Sequence, residues 1–100
     1  MSPRLSPKTE EHIAVMFPLH LRAEVAELLL HECGNNLPLL SKCDEFELER
    51  VRFAALKLSG GELVNLQEAV KLAKEDWRDL LVSAGFADDL HAHKNWSPAR

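Results

Sequence analysis

Acidic, basic and aromatic side chains crowd one turn at Asp76-Trp77-Arg78-Asp79. Asp76 and Asp79 are three apart, so on a helix they share a face. Paired carboxylates that converge on one pocket can move protons to and from a substrate. Trp and Arg are also enriched where protein surfaces meet, so the same four residues form a candidate binding patch. Trp77 needs an acceptor for its indole N–H once buried. Arg78 has Glu75 within helical reach, an exposed pair that stabilises by at most about 1 kcal/mol. A solvated or inter-helix polar network is the plainer reading and is favoured over catalysis, because structural ion pairs often resemble sites.

A second set of chemistry-bearing residues consists of ligand types that zinc accepts: His31-x-Cys33, Cys43 and His91-x-His93. Their spacing argues against a metal. No pair is CxxC, and Cys33 falls on an apolar face, where a thiol packs as a small hydrophobe. His91 and His93 are expected to cap or decorate the last helical turn. No metal is therefore expected, and His31, Cys33, Cys43, His91 and His93 are the set to watch. A nucleophilic cysteine would need a base beside it, and His31 points to a different helix face from Cys33. Neither GxSxG nor GxxxxGK[ST] occurs. No catalytic residue and no cofactor are assigned.

The elements that must position these residues read as helices. Leu63, Leu66, Val70, Ala73, Trp77, Leu80 and Ala84 recur at steps of three and four, one face of a helix from about Glu62 to Ser83 that Gly85 ends. Its flanks (Gln67, Ala69, Lys74, Asp76, Leu81, Ser83) make a poor charge lock for a coiled coil, so a bundle helix is expected. A break near Lys74 to Asp76 would bury both halves equally well. Asp44 with Glu47 is a capping box opening a helix to Leu58, with Leu48, Val51, Ala55 and Leu58 as its core stripe. Gly60-Gly61 is a minimal turn, and Ser59 with Glu62 fits another capping box.

Nearer the N-terminus, Ser6-Pro7 reads as N-cap and first helical position, with Thr9 as rival cap. Ile13, Met16 and Phe17 follow, then Pro18 interrupts. A helix from Pro18 to Cys33 has two apolar faces, which predicts burial on more than one side, and Gly34-Asn35-Asn36 stops it. Leu37 to Lys42 reads as a connector that tucks its leucines inward. Asp88-Asp89 would cap one last turn, Asp89 to Lys94, before Trp96, which is expected to fold back on the domain or dock on a partner chain. No β-alternation survives four residues.

One hundred residues with 46% hydrophobic and 28% charged side chains suit one modest core. The net charge of −4 argues against nucleic acid, which is bound through Lys and Arg. Arg50 and Arg52 diverge on a helix, and Glu75 and Asp79 interleave with Lys71, Lys74 and Arg78. No signal peptide or membrane-length apolar run is seen, so a cytoplasmic protein with reduced cysteines is expected.

The run Glu49-Arg50-Val51-Arg52-Phe53-Ala54-Ala55-Leu56-Lys57-Leu58-Ser59-Gly60-Gly61, continuing to Asp76-Trp77-Arg78-Asp79-Leu80-Leu81-Val82-Ser83-Ala84-Gly85-Phe86, resembles a group of small uncharacterised bacterial proteins. In these an ERV-x-x-A-x-LKLS-x-G-x-L segment precedes a helix ending in D-[WY]-RD-[LV]-L. The resemblance spans about Glu47 to Trp96. It implies a bacterial, intracellular, stand-alone domain and transfers no activity.

These features together predict an all-α fold: a compact bundle of four or five helices around an antiparallel pair, Asp44 to Leu58 against Glu62 to Ser83. Residues 1–8 and 97–100 are expected to be flexible tails on a single domain of residues 9–96. The expected function is a non-enzymatic protein-interaction or regulatory module whose partner is another protein or a second copy. The alternative is a small enzyme or ligand-binding protein using Asp76, Arg78 and Asp79; a nucleic-acid-associated regulator ranks third.

Overall fold

A computed structural model describes residues 5–32, 45–89, 91–96 and 98, and places the side chains of all but 45–47 among them. Cys33, Cys43, the Gly34-Asn35-Asn36 stop, the Leu37 to Lys42 connector and the Asp44 cap lie outside the described residues. The fold is an all-α bundle: α1 (Pro7–Met16), α2 (Leu19–Glu27) running into a π-turn (Leu28–Glu32), α3 (Glu45–Ser59), α4 (Leu63–Ala84) and the short α5 (Ala92–Asn95). No strand occurs among the described residues. None of the described helices is long and apolar enough to cross a membrane.

Local chemistry explains where α1 begins and ends. Ser6 is its cap: the Oγ accepts the Thr9 N–H at 3.2 Å, with Pro7 in the first turn. Leu5, just ahead of the helix, is buried, and Pro7 and Lys8 are helical. At the other end Phe17 turns extended and Pro18 begins α2. Arg22 reaches back from α2 to the open carbonyls of α1, donating from Nε to Phe17 O at 3.0 Å and from Nη2 to Ala14 O at 2.9 Å. On α2, Val25 and Leu29 face the core, but Leu19 (77% exposed) and Ala23 of the second apolar face point outward, contrary to the burial expected of both faces.

The centre of the bundle is α3. Every residue from Arg50 to Leu56 is buried, so this helix is enclosed on all sides. That run includes two charged residues, Arg50 and Arg52. The Arg52 Nε donates to Leu29 O in the π-turn at 3.1 Å. Arg50 donates from Nη2 to Phe86 O at 2.6 Å. Both arginines act as long-range caps, fixing the main chain of the π-turn and of the α4–α5 connection to α3.

Gly60-Gly61 turns the chain back onto α3, as its shortness requires. The expected Ser59–Glu62 capping box does not form. The buried Ser59 Oγ donates to Leu56 O at 2.6 Å and accepts the Gly61 N–H at 3.2 Å, while Glu62 makes no side-chain cap. Gly61 has φ +85°, and a Cβ there would lie 2.9 Å from the Met16 carbonyl oxygen, so the turn packs directly on the end of α1.

The apolar face read from Leu63 to Ala84 is realised on α4, where Leu66, Val70, Ala73, Leu80 and Ala84 are buried with Ala69 and Leu81. The helix is bent. Asp76 is extended (φ −159°, ψ 101°) between two helical arms. A straight helix of 22 residues would carry its end about 33 Å from the turn. Instead, the Lys57 Nζ near the end of α3 donates to Ala84 O at 2.7 Å. The second arm therefore doubles back over α3, and only the first arm can run antiparallel beside it. Gly85 (φ +80°) then ends α4: its N–H reaches Val82 O and the Phe86 N–H reaches Leu81 O, a Schellman motif.

Candidate functional site

The bend is made by the residues that stood out in the sequence. Asp76 Oδ1 accepts the Arg78 backbone N–H at 3.0 Å, which is the N-cap bond of the second arm. Trp77, Arg78 and Asp79 then occupy that arm's first turn, where a carboxylate such as Asp79 suits the positive end of the helix dipole. Arg78 pairs with Asp76 (3.4 Å) and not with Glu75, and Lys74 is ion-paired to Glu32 of the π-turn. Trp77 packs half-buried against the core, and its Nε1 is buried with no hydrogen-bond partner. Of the four, Asp76 and Arg78 are brought together, and Asp79 remains exposed.

Of the ligand types considered for zinc, His31, His91 and His93 lie among the described residues. His31 pairs with Glu27 at 3.0 Å on the exposed flank of the π-turn. Asp89 Oδ1 accepts the His91 backbone N–H at 2.8 Å, but it does not cap α5 as expected: the helix begins later, at Ala92, with His91 at the N-cap position and no side-chain cap. His93 does not decorate the surface: it is fully buried. Among the described residues no three His, Cys, Asp or Glu side chains gather as a metal site requires.

The densest constellation of rings is one that periodicity did not flag. Phe53 of α3 holds His12 of α1 at 4.6 Å between ring centroids, His93 of α5 at 5.6 Å and Trp96 at 5.8 Å. Trp96 closes on His12 at 5.2 Å and on Phe86 at 6.4 Å. Trp96 thus folds back on the domain, one of the two expectations for it. His12 is 3% exposed and its Nε2 has no hydrogen-bond partner. Burial pushes its pKa below the ordinary histidine value; Lys8 reinforces the shift and Glu11 opposes it.

Beside this cluster opens a groove of about 310 Å³, lined by Val15 and Met16 from α1, Lys57 near the end of α3, Gly60 and Gly61 of the turn that follows, and Trp96 and Pro98. That is the small end of the range for ligand sites. Lys57 lies 5.0 Å above the Phe86 ring and has further N–H groups to offer beyond its bond to Ala84. The groove combines an aromatic wall, a pliable thioether and a cation, which together fit an apolar group that carries a carboxylate. Compared with protein-family models, curated proteins and solved structures, the chain matches none.

Proposed function

We propose that the protein is a non-enzymatic protein-interaction module that docks a short apolar, acidic segment of a partner. The observation that supports this reading is the groove between α1, the Gly60-Gly61 turn and Trp96. Its walls include Trp96 and Met16, residue types enriched where proteins meet. Its cation, Lys57, is anchored by Ala84, so little side-chain freedom is lost when a carboxylate binds. A cytoplasmic, bacterial setting accords with the reading, and a second copy of the chain is one partner that it admits.

Selection from a randomised peptide library tests the proposal. Binders should carry Asp or Glu beside a large apolar residue. They should weaken at least tenfold on Met16→Glu, which places a negative charge in the wall, and on Gly60→Asn. Asn tolerates the Gly60 φ of +59°, and a Cβ there meets no atom within 4 Å. The proposal fails if no peptide binds more tightly than millimolar, or if binders ignore both substitutions. Light scattering at micromolar protein separates a self-partner from a foreign one: the chain alone is 11.3 kDa.

A further inference from the structure

We propose that His12 is a proton-operated latch: protonating its imidazole releases α5 and Trp96 from α1 and α3. The geometry gives the reason. His12 is 97% buried, wedged between Phe53 and Trp96, and its Nε2 has no hydrogen-bond partner. A neutral imidazole tolerates that position, because one ring nitrogen carries no proton. An imidazolium does not, because both nitrogens then donate and the buried Nε2–H has no acceptor. Cation–π attraction to the two rings offsets part of the cost. It does not supply the missing acceptor, and a buried charge without one is the less favourable state. Water reaches the ring once Trp96 moves away.

The element that yields is the weakest one in contact with His12. Helix α1 is capped at both ends, and α3 is the enclosed centre of the fold. By contrast α5 has four residues, too few to sustain a helix alone. Trp96 is seated by its ring contacts with His12, Phe53 and Phe86. Arg50 keeps the Phe86 carbonyl on α3, so the hinge falls beyond Phe86.

The charged groups that act on His12 are Lys8 and Glu11 of its own helix, the first opposing and the second favouring protonation. From α3 it meets Phe53, which is uncharged. From the C-terminal segment it meets Trp96, with His93, the other titratable group of the cluster, across the shared Phe53 ring. Burial keeps the docked imidazole neutral below its ordinary range, so the docked form prevails at neutral pH. Below about pH 6.5 each further unit multiplies the released population by up to tenfold, until the docked ring itself titrates.

The chain has two tryptophans, so a Trp77→Phe background isolates the emission of Trp96. Between pH 7.5 and 5 that emission should shift to the red and become quenchable by acrylamide while the far-ultraviolet helical signal is retained. His12→Phe should abolish the transition, and His93→Phe should retain it. In the natural chain, which needs no variant, the His12 ring proton and the Trp96 indole N–H should titrate with one midpoint by NMR. The latch is overturned if Trp96 emission stays flat, if the shift survives His12→Phe or disappears in His93→Phe, if helix is lost at the same midpoint, or if His12 titrates without Trp96. Trp96 also walls the groove, but every readout here is taken without a ligand, so the outcome is independent of the docking proposal.

Discussion

Two regions of the molecule set a tryptophan among titratable side chains, and they use it in opposite ways. At Asp76–Asp79 the residues are consecutive, the Asp76 and Arg78 side chains are 40% and 65% exposed, and the polar atoms serve the local backbone. Around Phe53 the residues come from α1, α3 and the C-terminal segment, and both histidines are buried. A contiguous knot of chemical groups here reports a bend that needs a cap. The dispersed residues are the ones that build an enclosed environment able to change a side chain's chemistry.

The sharpest way to break this contrast is to remove its hub. Phe53→Ala deletes a ring that is 1% exposed and touches His12, His93 and Trp96, and should cost about 3–5 kcal/mol in urea unfolding. A cost near that of a surface substitution would show that the cluster is not a core at all. Arg52→Met keeps the apolar stem but leaves Leu29 O without its donor, and should cost about 1–3 kcal/mol. Faster amide exchange confined to the π-turn would identify the lost cap as the cause.

The pH dependence ranks next. The His12 pKa is lowered on folding, so below its unfolded value near 6.5 the unfolded chain binds more protons than the folded one. Its contribution to stability is therefore level above that pH and declines as pH falls toward the depressed folded value, by at most about 1.4 kcal/mol per pH unit. Urea midpoints from pH 8 to 5 in the natural chain and in His12→Phe isolate that slope as their difference.

The local devices were legible in the sequence, and the long-range ones were not. The Ser6-Pro7 start, the Gly60-Gly61 turn and the Gly85 stop each depend on residues a few positions apart, and each stands as read. The bend at Asp76 was half visible: both arms keep their apolar faces, so spacing could not choose between one helix and two. An Asp followed three residues later by another acid was the available signal for a new N-terminus. The buried roles of Arg50 and Arg52 had no local trace, because their carbonyl partners lie on other elements. Charge made both residues look solvated, and this hid α3 as the enclosed helix. The burial of His12 and His93 left no local trace either, and the groove joins Met16, Lys57 and Trp96, which no periodicity connects.

The smallest expected effects fall on the residues that first attracted attention, and they decide whether the bend is only a bend. Asp76→Ala removes the acceptor of the Arg78 N–H and should cost about 1 kcal/mol, whereas Asp76→Asn keeps a capping oxygen and should lie close to wild type. Arg78→Ala loses an exposed ion pair, and Asp79→Asn loses one exposed charge at a helix start, so each should shift stability by about 0.5 kcal/mol or less. Thermal or urea unfolding of this series reads the difference directly. If Asp76→Asn cost as much as Asp76→Ala, the negative charge rather than the cap would hold the bend, and the exposed pair with Arg78 would have to be stronger than its setting allows. If all four changes were silent in stability yet abolished binding of a selected ligand, the turn would rejoin the aromatic cluster as a functional surface. The distinction between a backbone device and a chemical site would then have been drawn in the wrong place.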